Sequence, residues 1–359
     1  MSRSLRIAII ASARYPIRQP FAGGLEAQTW SLAAGLRERG HQVTLFAGSE
    51  GDPLPDVAEV HSRWPTISDA AKADISMPPL AWLEEHHAYL NVMLELAGSG
   101  IDRFDVIHNN SLHHLPVAMA GAVAVPMVTT LHTPPIPWLE SAIQLGPCPV
   151  TFVAVSRHTA QAWRHALASI EIIPNGVDLG RWQFGAGGRS LIWFGRLVPE
   201  KGPEYAIRAA RLAGLPLDLV GPISDHRYFT EQIEPLLGDG VRYLGHLGHQ
   251  ELAQLVARSA ACLVTPRWDE PYGLVAAEAL ACGTPVAGFA RGGLPEVLDR
   301  TCGVLVPADD VAALALAAHQ AILLPRAAAR QRAVEHCSVT AMLDGYERLY
   351  QELSVAAMA

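Results

Sequence analysis

Short apolar segments alternate with helical segments along the whole chain, and this alternation constrains the fold more than any other feature. Each apolar segment ends in a loop with Gly, Pro or polar residues before a helical pattern begins. Such alternation is typical of parallel sheets covered by helices. The segments are Leu5–Ala11, His41–Ala47, Asp105–His108, Val125–Leu131 and Val150–Val155, then Leu191–Phe194, Leu217–Gly221, Val241–Gly245, Ala261–Pro266, Pro285–Ala290 and Gly303–Pro307. We predict an α/β fold with two doubly wound sheets.

The two sets of segments predict two domains. A chain of 359 residues is too long for one ordinary domain, and the Gly-rich, aperiodic segment Arg181–Arg189 is a suitable linker. We expect Rossmann-like domains over residues 1–183 and 184–338, and a C-terminal helix over 339–359 that packs back toward the first domain. In such folds ligands bind beyond the carboxyl ends of the strands, so the ligand cleft should lie between the two domains.

The charge and the cysteines restrict the partners and the compartment. The formal net charge is -8 and the pI is near 6.0, which offers no basic field for nucleic acid or anionic lipid. The five cysteines show neither disulfide nor zinc-ligand spacing, as in a reduced cytoplasmic protein. The apolar start Leu5–Ala11 is too short for a signal sequence, and the longest apolar stretch, around Met119–Leu131, is broken by Pro126. We therefore expect a cytoplasmic protein without membrane association.

The segment Trp268–Val297 holds the strongest candidate site. It follows a buried strand, so its first loop should lie at a carboxyl strand end. Gly273 and Leu274 fall where a helix begins, and backbone N–H groups at a helix start favour phosphate binding. Glu270 precedes this helix, and Glu278 lies about two turns along its otherwise apolar length. A partly buried Glu278 needs a hydrogen-bonding partner, and a ribose diol could supply one. By itself, however, this spacing of two acids also fits surface carboxylates.

A second candidate constellation is the strand-to-helix turn Phe194–Gly202. Arg196 and Lys201 lie on either side of it, where both cations can converge on one anion. The chain contains 25 Arg but only two Lys, Lys72 and Lys201, which draws attention to Lys201. The alternative is that these cations pair with Glu200 or Glu204.

The first domain offers weaker candidates. Gly23 and Gly24 precede the first helix, where they permit close approach of the backbone, although two glycines before a helix are often a plain turn. His132 ends a strand on the cleft side, and His108 ends another. Asn175–Asp178 is interpreted mainly as a structural turn.

Trp268–Val297 resembles the donor-binding signature of retaining glycosyltransferases of the GT-B fold, specifically family 4, and FGRLVPEKG (Phe194–Gly202) is similar to a second pattern of that family. The resemblance implies that Glu270 contacts the transferred hexose and that Glu278 contacts the nucleotide ribose. It further implies that Gly273, Leu274, Arg196 and Lys201 hold the diphosphate. Gly23 and Gly24 would face the leaving phosphate and the acceptor, and His132 would lie close to the reacting sugar.

The sequence contains no D-x-D motif and no His, Cys or carboxylate cluster at metal-ligand spacing. We therefore expect no metal and no cofactor apart from the nucleotide-sugar co-substrate. The expected reaction is transfer of a hexose, with retention, to a hydroxyl group of a soluble small-molecule or glycan acceptor.

Several alternatives remain open. A nucleotide-sugar epimerase or a non-catalytic nucleotide-sugar-binding protein could share this fold. A pyridoxal-dependent phosphorylase lacks a candidate lysine beyond Lys72 and Lys201, and a dehydrogenase lacks the dinucleotide fingerprint. The acceptor should bind to the first domain, where Trp82, His86, His87 and Tyr89 lie in a segment that could equally be a solvated helix face. The nucleotide base, the sugar, the acceptor and the oligomeric state are not specified by these patterns.

Overall fold

The chain forms two parallel sheets with helices on their faces. The computed structural model describes residues 3–47, 58–60, 66–77, 79–145 and 148–357. The first sheet has seven strands in the order β3-β2-β1-β4-β5-β6-β7. These strands are β1 Arg6–Ile10, β2 Gln42–Phe46, β3 Ala58–Val60, β4 Val106–Asn109, β5 Met127–Leu131, β6 Val150–Ala154 and β7 Glu171–Ile172. The edge strand β3 was not predicted, and most of the polar stretch around it lies outside the described residues.

The second sheet repeats the same topology with six strands, in the order β10-β9-β8-β11-β12-β13. These strands are β8 Leu191–Phe194, β9 Leu217–Val220, β10 Val241–Tyr243, β11 Cys262–Val264, β12 Val286–Phe289 and β13 Gly303–Val306. In each sheet the strand order reverses beside the first strand, between β1 and β4 and between β8 and β11. These are the topological switch points, where a crevice opens at the carboxyl ends of the strands. The two Rossmann-like units predicted from the alternation are confirmed.

Fourteen α-helices are assigned among the described residues. They are α1 Gly24–Glu38, α2 Asp69–Lys72, α3 Leu80–Arg103, α4 Leu115–Ala118, α5 Pro137–Gln144, α6 Arg157–Trp163, α7 Pro203–Ala213, α8 His226–Tyr228, α9 His249–Ala257, α10 Leu274–Ala281, α11 Leu294–Val297, α12 Val311–Ile322, α13 Arg326–His336 and α14 Val339–Ala356. Within the described ranges, no single helix has the length and hydropathy to cross a membrane, although α12 and α13, bent by 98°, pass that test as a pair.

The segment predicted as a linker is hydrogen-bonded to the second unit. Gly185 and Gly187 donate their backbone N–H groups to the carbonyls of Cys282 and Ala257. The guanidinium of Arg326 donates to the carbonyls of Gly185 and Ala257, among other acceptors, and so joins this segment to α13. The domain limits themselves stay a prediction.

Helix α14 lies against the first sheet. It contacts α1 and β4, and its apolar face shares a buried cluster with strand β1. Tyr346 and Tyr350 of this face are fully buried. The chain therefore crosses back to the first unit after completing the second.

His108 belongs to this packing and not to the cleft. Its ring is fully buried, with Nδ1 2.5 Å from the Tyr350 hydroxyl and Nε2 2.7 Å from Thr130 Oγ1. Tyr346 extends the network through a 2.9 Å hydrogen bond with Thr130. Burial lowers the pKa of His108 to about 3, so the imidazole is neutral at pH 7. His108, one of the weaker candidate site residues, therefore has a structural role.

Replacing Tyr350 by Phe should destabilise the protein by about 1–3 kcal/mol, because the buried Nδ1 atom of His108 loses its hydrogen-bond partner. Urea denaturation monitored by circular dichroism measures this change. Tyr15→Phe is the matched control, since Tyr15 is 37% exposed. Equal midpoints for the two variants would contradict a stabilising role for the hydroxyl of Tyr350.

Candidate functional site

A cavity of about 330 Å³ lies between the two units and is lined by residues of both. The first unit contributes the loop after β1 and the start of α1. The second contributes the ends of β8 and β9, the loop after β11 and the start of α10. All nine predicted site residues line this cavity: Gly23, Gly24, His132, Arg196, Lys201, Glu270, Gly273, Leu274 and Glu278. Their functional roles stay predictions, but the fold brings them together at the carboxyl ends of both sheets.

Lys201 and Glu270 form an ion pair in the cavity wall. The Lys201 Nζ to Glu270 Oε2 distance is 2.6 Å, and the indole Nε1 of Trp268 donates to the same oxygen at 3.0 Å. The ammonium also lies 5.3 Å from the centre of the Trp268 ring. The predicted alternative, in which Lys201 pairs with Glu200 or Glu204, is not what the structure shows. Instead, the lysine reaches from the turn before α7 to the loop after β11.

Two glycines hold the backbone of Glu270. A Cβ at Gly292, which has a φ of 59°, would lie 2.1 Å from the Glu270 carbonyl oxygen. The next residue, Gly293, donates its N–H to that oxygen at 2.6 Å. Only glycine permits this approach and this left-handed conformation without strain. The GG pair inside Trp268–Val297 therefore positions the loop that carries Glu270.

The start of α10 faces the first unit across the cavity. Gly273 is its N-cap, with a φ of 97°, and Leu274 begins the first turn, where backbone N–H groups have no helical acceptor. A Cβ at Gly24 would lie 3.3 Å from the Leu274 side chain. The backbone of α1 can therefore approach α10 closely because residue 24 has no side chain.

Arg196 lies between both units. A Cβ at Gly23 would lie 3.7 Å from the Arg196 Nε atom and 3.2 Å from Oε2 of Glu26. The Glu26 side chain is buried, and this burial raises its pKa, whereas nearby backbone N–H groups and the charge of Arg196 lower it. Arg196 is also 3.8 Å from Glu200, a loose ion pair that the sequence alternative included. Glu26 itself was not predicted as a site residue, since its sequence context is only that of a helix start.

Glu278 is partly buried and, among the described residues, its carboxyl group has no hydrogen-bond partner or ion pair. Burial raises its pKa to about 8. A neutral carboxyl group at pH 7 is the expected response to this desolvated position on an apolar helix. The group is therefore unsatisfied and can accept a ligand.

His132 is neutral for a similar reason, because burial lowers its pKa to about 3. Its Nε2 atom lies 2.6 Å from the Asn110 side-chain oxygen. The Asn110 amide nitrogen donates to Gln28 and Thr29 of α1, which leaves the oxygen as an acceptor. Nε2 of His132 therefore carries the ring proton, and Nδ1 keeps its lone pair. Asn110 was missed because only the fold brings the end of β4 beside His132.

Three further polar side chains line the cavity with a buried atom that has no hydrogen-bond partner within the described part of the chain. They are Asn175, through Oδ1, His249, through Nε2, and Tyr272, through its hydroxyl. The sequence indicated a mainly structural role for Asn175, and its unpaired side-chain oxygen in the cavity wall was not predicted. No motif drew attention to His249, which begins α9.

Hydrogen bonds also join the two units near the cavity. Glu296 of α11 accepts hydrogen bonds from the backbone N–H groups of Arg157 and His158, at 2.9 and 2.8 Å. Ser156, the N-cap of α6, donates to the Pro271 carbonyl at 2.5 Å. These bonds join the helix start in the first unit to the segment that carries Glu270.

We expect Glu278→Gln to change how stability depends on pH. The pKa of Glu278 in the folded protein, about 8, exceeds its ordinary value of 4.5, so protonation favours folding. The resulting stability is complete below pH 4.5 and is lost as the pH rises through about 8. The variant should therefore match the wild type near pH 5 and melt several degrees higher near pH 8.5. Thermal unfolding at both pH values tests this prediction, with the exposed Glu38→Gln as control. It would be contradicted if the difference in melting temperature between Glu278→Gln and wild type were the same at pH 5 and pH 8.5.

Comparison with known proteins agrees with this geometry. The protein-family model for Glycosyltransferase Family 4 matches residues 22–181, and the family model for Glycosyl transferases group 1 matches residues 181–336. A glycogen synthase of Mycobacterium tuberculosis is 31% identical over 353 residues, covering 87% of this chain and 85% of the relative. A D-inositol 3-phosphate glycosyltransferase of Actinosynnema mirum is 29% identical over 364 residues, covering 84% and 85%.

Among solved structures, Anabaena HepE in complex with UDP-glucose has a similar fold. Its TM-score is 0.74 at 21% sequence identity, and the match covers 97% of this chain and 100% of that one. At this identity the likeness concerns the fold alone. The family models and the sequence relatives show that the chain belongs to the family 4 glycosyltransferases, and the structural likeness shows that it has the GT-B fold.

Proposed function

We propose that this glycosyltransferase moves a hexose from a nucleotide diphosphate donor to an acceptor hydroxyl, with retention of the anomeric configuration and without a metal ion. The observation that supports it most is the Lys201–Glu270 ion pair in the cavity beside the start of α10. This pair places a phosphate-binding cation next to a carboxylate that can bind sugar hydroxyls. Anabaena HepE, with a similar fold, binds UDP-glucose.

The diphosphate would bind between Arg196, Lys201 and the N-terminal turn of α10. Arg196 offers a bidentate guanidinium, Lys201 a point charge, and Gly273 and Leu274 backbone N–H groups. When the phosphate forms an ion pair with Lys201, Glu270 no longer pairs with the lysine and can accept hydrogen bonds from the hexose. The resting ion pair thus holds both groups close to the positions where each would contact the donor.

The ribose would bind to Glu278. Its carboxyl group is unsatisfied, and two adjacent ribose hydroxyls can donate to an ionised carboxylate. Those hydrogen bonds favour the charged form, so donor binding would lower the raised pKa of Glu278 and release a proton at neutral pH. On the acceptor side, the Nδ1 lone pair of His132 could accept a hydrogen bond from the reacting sugar.

The negative charge that develops on the departing diphosphate would be stabilised by these fixed donors. The departing phosphate oxygen can also accept the proton of the attacking hydroxyl, which approaches the face that the phosphate leaves. Glu270 would stabilise the positive charge that develops on the sugar. We assign no protein nucleophile.

We expect one of UDP-glucose, GDP-mannose and ADP-glucose to raise the melting temperature in the presence of EDTA, since the cations of the site belong to the protein. The same donor should then be consumed with inositol 3-phosphate or a glucan as acceptor, and NMR of the product should show the donor's anomeric configuration. An inverted product would rule out retention. Loss of transfer in EDTA would rule out metal independence, and a new nucleotide sugar formed without acceptor would indicate an epimerase.

Lys201→Met should reduce kcat by about 10²–10³-fold, because the leaving diphosphate loses one fixed cation. Initial rates at saturating donor measure this loss. Lys72→Met is a matched control, since Lys72 is the other lysine of the chain and lies on α2, away from the cavity. Circular dichroism confirms that both variants are folded. A folded Lys201→Met enzyme with wild-type kcat would contradict the proposed role.

A further inference from the structure

Three histidines of the first unit lie together outside the cavity described above. His86 belongs to α3, whereas His113 and His114 precede α4. Each histidine offers one ring nitrogen, and these three nitrogens all lie within 4.8 Å of one another. The sequence shows no cluster at metal-ligand spacing because His86 and His113 are 27 positions apart. The fold creates the cluster by packing α3 against α4.

Two of the three imidazoles have a ring nitrogen that is free to bind a ligand. Nδ1 of His86 is buried and has no hydrogen-bond partner within the described chain. Such an unpaired polar atom is costly unless a ligand satisfies it. The ring of His114 also has no hydrogen bond among the described residues, although it stacks on other rings. Nδ1 of His113 accepts a bond from the Leu115 N–H at 3.2 Å, so this ring must exchange that bond if it binds a ligand.

Aromatic side chains enclose the cluster. Trp82 stacks on His86 with ring centres 5.2 Å apart, and Trp138 stacks on His114 at 4.9 Å. Tyr89 stacks on His113 at 4.3 Å. These contacts shield the imidazoles in part from water, while Trp82 and Trp138 remain 42% and 58% exposed. The two indole rings contact each other, with centres 6.3 Å apart, but the three histidines are themselves only partly buried, so an ion can reach them from solvent.

We propose that His86, His113 and His114 bind a divalent transition-metal ion such as Zn²⁺ or Ni²⁺, at a site separate from the sugar-transfer cavity. Three neutral imidazoles are a typical donor set for these ions and leave a fourth position for water. Ligands around tetrahedral zinc lie roughly 3.3 Å apart, given Zn–N bonds of about 2.0 Å. The histidines must therefore approach one another by about 1.5 Å or less, within the reach of their broad terminal torsions.

Metal binding here would join α3 to the segment before α4. That segment is continuous with Leu112, which lines the cavity. The loop after β1 is tied to α3 as well, because the Tyr89 hydroxyl bonds to the backbone of Ala11 and Ala13. The ion would thus stabilise one wall of the cavity without entering it.

Isothermal titration of the metal-free, full-length protein with Zn²⁺ tests the proposal. We expect one saturable site in the wild type and at least about tenfold weaker binding in His86→Ala and His114→Ala, because each loses one ligand. The matched control is His87→Ala: His87 neighbours His86 on α3, but its Nδ1 atom is 2.9 Å from the Leu83 carbonyl and it is outside the cluster. His87→Ala should bind Zn²⁺ like the wild type.

A second readout guards against misfolded variants. Co²⁺ bound by imidazoles in a tetrahedral site gives visible absorption bands, and bound Cu²⁺ should quench the fluorescence of Trp82 and Trp138. Both signals should appear in the wild type and in His87→Ala, and both should be lost in His86→Ala with its circular dichroism unchanged. Absence of saturable binding in the wild type would overturn the proposal, as would equal affinity in wild type and His86→Ala. Neither result would depend on whether the protein transfers sugars.

Discussion

The ion pair between Lys201 and Glu270 joins the two segments that follow the central strands of the second sheet. Lys201 comes after β8 and Glu270 after β11, and these strands are neighbours where the strand order reverses. Because the crevice opens at this point, the two charges meet at its edge and not inside the sheet. The nearby start of α10 adds its backbone N–H groups to the same corner. The cavity is therefore organised by topology first and by individual side chains second.

Much of this arrangement could be predicted from the sequence. The alternation of apolar segments specified two parallel sheets, and all nine predicted site residues line one cavity, since all but Glu278 follow a strand or lie at a helix start and Glu278 lies within α10. What could not be predicted were contacts that depend on distant segments. The pairing of Lys201 with Glu270, over 69 positions, is one example, and the Asn110–His132 hydrogen bond is another. Patterns show which face a residue occupies, but only packing decides its partner.

The histidines illustrate this limit further. His132 and His108 both end a strand in the sequence, yet the first lines the cavity and the second is buried against α14. The difference arises because α14 returns to the first unit and places Tyr350 beside β4. The cluster around His86 likewise depends on how α3 packs against the segment before α4. A histidine at a strand end is therefore informative only when the covering helix is known.

Glu270 and Glu278 show how the same kind of side chain acquires different properties within one cavity. Glu270 contacts an ammonium and an indole N–H, and both donate to the same carboxylate oxygen. Glu278 lies about one turn into the apolar helix α10 and has no such partner among the described residues, and burial raises its pKa. A ligand that supplies hydroxyl donors to Glu278 and an anion to Lys201 would satisfy both groups at once. A nucleotide diphosphate sugar carries these features in one molecule, whereas a free sugar lacks the anion and inorganic phosphate lacks the diol.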